Sequence, residues 1–504
     1  MALESNSCAS AIRFEDVSFS YKESDAPAVN HIDLDIKRGT CVLLTGRSGC
    51  GKTTLTRLMN GLIPVVYEGV RQGRVSLLEK PLEDWRMDEV SAHVGSVFQN
   101  PRSQFVNMDT TSEIAFGCEN LGLSQPEIVS RVEKVARELG IENLLGRSVE
   151  ELSGGQKQLV ILASACAVHP DILVLDEPTA SLDVCAMKAL GKALLRLKAQ
   201  GKTIIVSEHR LWWLADVADR VVHIENGSIK GEWEASEFAA IPSGLRTSWG
   251  LRAWNILEVD ECLKDYGAPS NVAEPSIHAS NLVAGYRRNP NVLDGLDFEV
   301  APGRVVALVG RNGAGKTTLA RCLAGLVRER SGEIRLRGQP LAFRKRAGLS
   351  YLVMQEPGYQ LFANTVEREL EDSLRRGTSV YDSSAKAAYM LEDLGMLGLS
   401  GRHPLSLSGG ERQRLSIGAG LLYGASTIVM DEPTSGLDFT NMARIASQID
   451  SMKKSGVGIC IITHDYEFLC EACDEVACLD GGRVVERFPL NDQTIPKIRE
   501  YFGF

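Results

Sequence analysis

The stretch GRSGCGKTT, Gly46 to Thr54, returns as GRNGAGKTT, Gly310 to Thr318. Each copy follows an apolar run, Thr40 to Thr45 and Val305 to Val309, and the first leads into a helical pattern from Lys52 to Leu62. Strand, glycine loop and helix in that order are the context in which GxxxxGK[ST] cradles phosphate. Gly46, Gly49 and Gly51, and likewise Gly310, Gly313 and Gly315, let backbone N–H groups wrap an anion at a helix N-terminus, where the helix dipole favours negative charge. The loop also takes in Arg47, Ser48, Cys50 and Thr54, and in the second copy Arg311, Asn312, Ala314 and Thr318. Lys52 and Lys316 are expected to reach the β and γ phosphates, and Thr53 and Thr317 to hold Mg²⁺ through their hydroxyls.

Working outward, the repeat extends over most of the chain. LSGGQ at Leu152 recurs as LSGGE at Leu407, LDEPTASLD at Leu175 as MDEPTSGLD at Met430, and SEH ending at His209 as THD around His464. The two lysines are 264 residues apart, whereas Ser153 and Ser408, Asp176 and Asp431, and His209 and His464 are each 255 apart. The second copy is therefore nine residues shorter between its glycine loop and its LSGG. The runs Ile172 to Leu175 and Thr203 to Val206, with Ile428 to Met430 and Gly458 to Ile462, are flanked by helical stretches. That alternation predicts an α/β fold of two tandem P-loop NTPase domains, each with a mostly parallel sheet. The expected domains are 11–235 and 276–495. The connecting segment 236–275 carries Trp249 and Trp254, and at this length it is expected to pack on a domain.

Asp176 and Asp431 each end an apolar strand, where a carboxylate can complete a metal shell. Glu177 and Glu432 follow directly and can polarise a water for attack on a γ-phosphate. His209 and His464 lie 33 residues beyond those aspartates in matched positions, which marks them as functional candidates. Gln99 in VFQNPRSQF and Gln355 in VMQEPGYQLF are matched as well, each with a second glutamine five residues on, Gln104 and Gln360. Tyr21 and Tyr286 precede their lysines by 31 and 30 residues, with Phe19 as a rival aromatic in the first copy.

Composition narrows the classes. The 504 residues are 44% hydrophobic and 24% charged, ordinary globular composition, and 55 Lys plus Arg against 65 Asp plus Glu give a net charge of −10. The whole chain carries no electrostatic footprint for nucleic acid. Its longest uncharged stretches, Leu159 to Val168 and Ser416 to Met430, fall short of the ~18 residues of a bilayer span. Met1 to Ser10 has no basic-then-apolar pattern, so no secretory signal is expected. Of twelve cysteines, Cys460, Cys470, Cys473 and Cys478 cluster in sequence with one CxxC pair; without a second pair at matching spacing they are expected to be core rather than zinc ligands. Arg328, Arg330, Arg335, Arg337 and Arg344 are expected on a solvated surface, a partner or headgroup contact being the sharper option.

Taken in order, LSGGQ, LDEP, SLD and the isolated histidine resemble the nucleotide-binding domains of ABC ATPases, over nearly the whole chain and twice. The resemblance implies ATP and Mg²⁺ as cofactors and, in each domain, a helical subdomain and an antiparallel β subdomain. It implies composite sites in which Ser153, Gly154 and Gly155 cap the nucleotide on the second glycine loop, and Ser408, Gly409 and Gly410 that on the first, the halves pairing within one chain or with a second copy. It makes Gln99 and Gln355 sensors of Mg²⁺ and water. It also implies that His209 and His464 contact the γ-phosphate and the attacking water, and that Tyr21 and Tyr286 stack on adenine. The QNPxxQF form is similar to the energy-coupling-factor importer ATPases, which serve vitamin and metal-ion uptake, although Glu356 and Pro357 depart from that group's pattern. That likeness implies a peripheral position on the cytoplasmic face of the membrane, with a transmembrane coupling protein and a substrate-binding membrane protein as partners and no nucleic acid. The rival readings are a fused sugar-importer ATPase and a soluble ABC protein acting on ribosomes or DNA; the intact second glycine loop and the linker without a long charged helix pair stand against them.

Overall fold

In the computed structural model, residues 9–22, 26–180, 182–262, 274–287, 291–347, 349–375 and 383–504 are described. The chain divides into two compact units, Met1–Asn255 and Ile256–Phe504.

In the first unit, β1 (Ser10–Tyr21), β2 (Val29–Lys37), β4 (Gly69–Leu77) and β5 (Lys80–Pro81) form an antiparallel sheet in the order β2-β1-β4-β5. The second sheet runs β10-β9-β3-β8-β7-β6, built from β3 (Cys41–Thr45), β6 (Val94–Val97), β7 (Ile172–Asp176), β8 (Thr203–Ser207), β9 (Arg220–Glu225) and β10 (Ser228–Glu234). Only the β9–β10 pair in it is antiparallel. The strands β3, β7 and β8 are buried along their whole length, as apolar runs covered on both faces must be. Phe14, Val17 and Ile32 of the antiparallel sheet share a core with Val42, Leu44 and Ile205 of the parallel one and with Leu55 and Leu58 of the helix after the glycine loop.

The second unit repeats this plan. Its antiparallel sheet is β12-β11-β14-β15, from β11 (Ile277–Ala284), β12 (Leu293–Val300), β14 (Ser331–Leu336) and β15 (Gln339–Pro340). The other sheet runs β16-β17-β18-β13-β19-β20, from β13 (Val305–Gly310), β16 (Ser350–Val353), β17 (Thr427–Asp431), β18 (Gly458–Ile462), β19 (Glu475–Asp480) and β20 (Arg483–Pro489). A separate apolar cluster, including Leu370, Leu391 and Leu415, makes the core of its helical part. Among the described residues no helix is long and apolar enough to cross a membrane.

One detail differs from the sequence reading and two extend it. The helix predicted over Lys52 to Leu62 stops at Met59, because Gly61 takes a left-handed φ of 73° and starts a separate short turn. Residues assigned to the connecting segment are structured in the first unit as helices Ala235–Ala240 and Ser243–Ser248, while 263–273 lie outside the described residues. Arg328, Arg330, Arg335, Arg337 and Arg344 are exposed, as expected, while Arg346, two residues further on, is fully buried, paired with Glu329 and donating to the Cys322 carbonyl.

Candidate nucleotide site

Each glycine loop joins the end of a central strand to a helix. Gly46, Gly49 and Gly51 have positive φ, and a Cβ on Gly46 would lie 2.1 Å from the Ile224 carbonyl oxygen, so only glycine fits this close approach to β9. Lys52 and Lys316 are buried and fold back over their loops. Lys52 Nζ donates to the carbonyls of Gly46 and Arg47 at 2.9 and 3.1 Å, and Lys316 Nζ to those of Gly310 and Arg311 at 2.6 and 3.1 Å. An ammonium beneath a ring of amides leaves the loop with a net pull on phosphate oxygens.

Asp176 and Asp431 end β7 and β17 beside the loop threonines. Thr53 Oγ1 donates to Asp176 at 3.3 Å and Thr317 Oγ1 to Asp431 at 3.0 Å. Burial pushes the Asp176 carboxyl up, with the Glu177 charge adding to it; burial does the same to Asp431. A buried carboxylate short of positive charge, next to a hydroxyl, is a hard oxygen set that suits Mg²⁺, an ion that fills its remaining positions with water and phosphate. Among the described residues no three His, Cys, Asp or Glu converge into an all-protein metal cage.

In the first unit the other site residues converge on Glu177. Gln99 Nε2 donates to its Oε2 at 2.6 Å, and His209 Nε2 lies 3.2 Å from its Oε1. Lys52 Nζ sits 3.4 Å from the same His209 nitrogen. One imidazole nitrogen cannot donate to the carboxylate and accept from the ammonium at once, so with Glu177 ionised Nε2 is the donor and Lys52 a neighbouring charge. Burial alone would raise the Glu177 carboxyl; His209, Lys52 and the Gln99 amide outweigh it and hold the group below its ordinary value. Glu177 and Glu432 both sit at left-handed φ, 45° and 51°, each with its amide donating to the strand end beside it. Strain of this kind at a strand terminus aims a side chain.

The second unit has the same residues in a looser arrangement. His464 Nε2 is 3.7 Å from Glu432 Oε1, and no Gln355–Glu432 hydrogen bond is among the described contacts. The halves also differ one position upstream of the histidine. In the first unit Glu208 accepts from the amides of His209 and Arg210 at 2.8 and 3.3 Å and from the Thr179 hydroxyl at 2.6 Å. In the second unit Thr463 stands there, and the carboxylate comes from Asp465, which takes the Thr434 hydroxyl at 2.8 Å. The His464 amide is left to find another acceptor, and it takes Glu432 Oε2 at 3.3 Å. Glu432 thus spends an oxygen on backbone that Glu177 keeps for Gln99.

Gln104 and Gln360, which the sequence left without a role, clamp the loops carrying Gln99 and Gln355. Gln104 accepts from the Phe98 amide at 3.0 Å and donates to the Ser96 carbonyl at 2.8 Å; Gln360 accepts from the Met354 amide at 2.9 Å and donates to the Leu352 carbonyl. Phe19 is 1% exposed and belongs to the core, so Tyr21, half-buried, and Tyr286, 41% exposed, are the aromatics at the surface. Ser153 and Ser408 start their helices as capping boxes. Ser153 exchanges bonds with neutral Gln156, whereas Ser408 gives its hydroxyl proton to the Glu411 carboxylate at 2.9 Å. Gly154 and Gly155, and Gly409 and Gly410, form the first turns.

Arg47 and Arg311 part company too. Arg47 donates to the Trp249 and Ser248 carbonyls, both at 3.2 Å, at the end of the helix Ser243–Ser248. Trp249 itself is stacked on His223 and on Trp233, ring centroids 5.4 and 5.5 Å apart. Arg311 is exposed, with no side-chain bond among those described. The cysteines Cys460, Cys470, Cys473 and Cys478 are all buried core, their thiols pushed up by burial.

Comparison with known proteins agrees with this geometry. The ABC transporter family profile matches residues 29–180 and 293–435. A Treponema denticola protein, provisionally named an ABC transporter ATP-binding protein, is 41% identical over 94% of this chain and 96% of its own length. A Bacillus subtilis protein provisionally named HMP/thiamine import ATP-binding protein YkoD is 32% identical over 94% of this chain and 91% of its own. Among solved structures, a chain in a model of ribosome-bound archaeal Pelota and ABCE1 is similar with a TM-score of 0.68, at 21% identity over 96% of this chain and 80% of that one, a likeness of fold.

Proposed function

The chain belongs to the ABC transporter family, as an ATP-binding protein with two ATPase domains that use ATP and Mg²⁺, and from that premise we propose that it powers an importer of the energy-coupling-factor type for a vitamin or a metal ion. The observation that carries the reading is the duplicate machinery: lysine, threonine–aspartate pair, glutamate and histidine gathered at the mouth of each glycine loop. The import-named relative that matches 94% of the chain supports the direction.

In this reading Lys52 and Lys316 and the loop amides bind the phosphates, Tyr21 and Tyr286 stack on adenine, and Thr53, Asp176 and Gln99, with Thr317, Asp431 and Gln355, hold Mg²⁺. The metal neutralises phosphate charge when bound. Glu177 and Glu432 accept a proton from water, and His209 and His464 orient that water and the γ-phosphate. Ser153, Gly154 and Gly155 of one half and Ser408, Gly409 and Gly410 of the other cap the nucleotide bound by the opposite loop, so that two ATP molecules draw the halves together. Swinging a closed population from 1% to 99% takes about 5.5 kcal/mol of differential nucleotide affinity, within reach of several charge-assisted contacts. The protein then sits peripherally on the cytoplasmic face of the membrane, moved against its membrane-spanning partners.

Affinity capture of the full chain from detergent-solubilised membranes tests the proposal. The expected result is a multispan coupling protein together with a small membrane-embedded binding protein, released from neither by high salt. Sedimentation with ribosomes and none with membranes would overturn it.

A further inference from the structure

The sequence offers no reason why the two surface tyrosines should hold a fixed orientation, yet each hydroxyl is gripped by an arginine at the same place in its half. Arg57 and Arg321 each lie five residues beyond the loop lysine, on the helix that the glycine loop opens. Arg57 Nη1 donates to Tyr21 Oη at 2.9 Å, and Arg321 Nη1 to Tyr286 Oη at 3.1 Å. The tyrosines sit on β1 and just after β11, strands of the antiparallel sheets, so each bond ties the antiparallel sheet to the phosphate-binding helix. No ion pair is described for either guanidinium, although the Arg321 charge is felt by the Asp431 carboxyl. Arg57 instead lies with its Cζ 3.9 Å from the Tyr67 ring centroid.

From this repeated contact we infer that Arg57 and Arg321 are positioning residues for the nucleobase. They act through Tyr21 and Tyr286, fixing each ring at a set distance from the loop that takes the phosphates. The inference rests on the proposed stacking of adenine on these tyrosines. A tyrosine on a strand end can swing about χ1, and a free ring must be immobilised when a base lands on it; a ring already held by its hydroxyl carries less of that cost into binding. The guanidinium also withdraws electron density through the phenol oxygen that its donor fork reaches, and in the first half its Cζ lies 6.0 Å from the Tyr21 ring centroid as well.

The two halves are gripped unequally. Tyr21 Oη has a second partner in Thr54 Oγ1 at 3.1 Å, and its ring meets Phe19 edge-on at 4.9 Å. For Tyr286 the described hydroxyl contact is Arg321, and its ring is more open to solvent. Removing the arginine therefore loosens Tyr286 more than Tyr21.

The test is equilibrium binding to the full chain, one pocket at a time, with Lys316→Ala silencing the second loop while the first is studied and Lys52→Ala the reverse. Two probes are used: Mg-ATP, and Mg-tripolyphosphate, which has phosphates and no base. Arg57→Gln is expected to weaken Mg-ATP about two- to fivefold and Arg321→Gln about five- to tenfold, with tripolyphosphate unchanged. Lysine at either position restores part of the loss, and Arg57→Gln added to Tyr21→Ala costs nothing further. Equal weakening of both probes would overturn the inference, because the arginine would then act on the fold or the phosphates. If Tyr21→Ala weakens ATP and Arg57→Gln does not, the stacking stands and the arginine's role falls. If Tyr21→Ala and Tyr286→Ala both bind ATP normally, the stacking itself is wrong and the inference falls with it. Should Arg57→Gln not fold, Arg321→Gln, at an exposed position, carries the same test.

Discussion

Set side by side, the two halves hold the same catalytic letters in different grips. Around Glu177 the distances to Gln99 and His209 are 2.6 and 3.2 Å; around Glu432 the histidine stands at 3.7 Å and no glutamine bond is among the described contacts. A residue that is not in the motif at all differs beside it. Glu208 satisfies the His209 amide, and where Thr463 replaces it the His464 amide draws on Glu432. A motif fixes which groups meet, and the neighbours that settle nearby backbone donors fix how closely.

The comparison breaks first at the glutamates. Glu177→Gln and Glu432→Gln, made singly, are each expected to lower steady-state ATP hydrolysis by about 10²-fold or more, since each removes a proposed general base. Unchanged turnover in either variant would mean that one half is not a competent site. Next in size is Trp249→Ala, which removes an aromatic stacked on two rings and should loosen residues 235–254 and the first glycine loop by about 2–3 kcal/mol. Hydrogen exchange checks this: faster exchange there, with the second glycine loop unaltered, is the expected pattern.

Glu208→Thr sharpens the comparison by giving the first half the second half's residue. The freed His209 amide should pull Glu177 off Gln99 and slow turnover about tenfold, a loss of one charge-assisted bond's worth. Thr463→Glu, with Asp465 left in place, should move the second half the other way, and single-turnover hydrolysis in each background reads both. The smallest effect is expected from Glu411→Gln. It removes a negative charge at the helix start and releases the Ser408 hydroxyl, so ATP on the first loop should bind about two- to fivefold tighter. No change in affinity there would argue that Ser408 does not meet that nucleotide.

Much of this was legible in the sequence, for physical reasons that can be named. The glycine loops, the Asp-Glu pairs and the histidines are each contiguous with a buried strand, so local pattern alone places them at one end of a sheet; duplication then separates them from chance matches. Phe19 against Tyr21 could not be decided that way, because alternation along β1 says that the two share a face without saying where the core ends. Thr179 and Glu208 are 29 residues apart and Thr434 and Asp465 are 31, so their bonds leave no local trace. Moving the carboxylate from one side of the histidine to the other hides the equivalence further. Arg57 and Arg321 did leave a signal, their constant distance from the lysine, but an arginine on an amphipathic helix usually marks only a wet face.

The hold of Ser248 and Trp249 on Arg47 bears on how the molecule can be dissected. An expression fragment ended at Glu234, where the last strand of the first half stops, would keep every motif and still strip the phosphate loop of its outer brace, leaving His223 and Trp233 uncovered. Carrying the fragment through to Asn255 retains both. Nucleotide affinities obtained with the shorter piece would describe a loop that the intact polypeptide never presents.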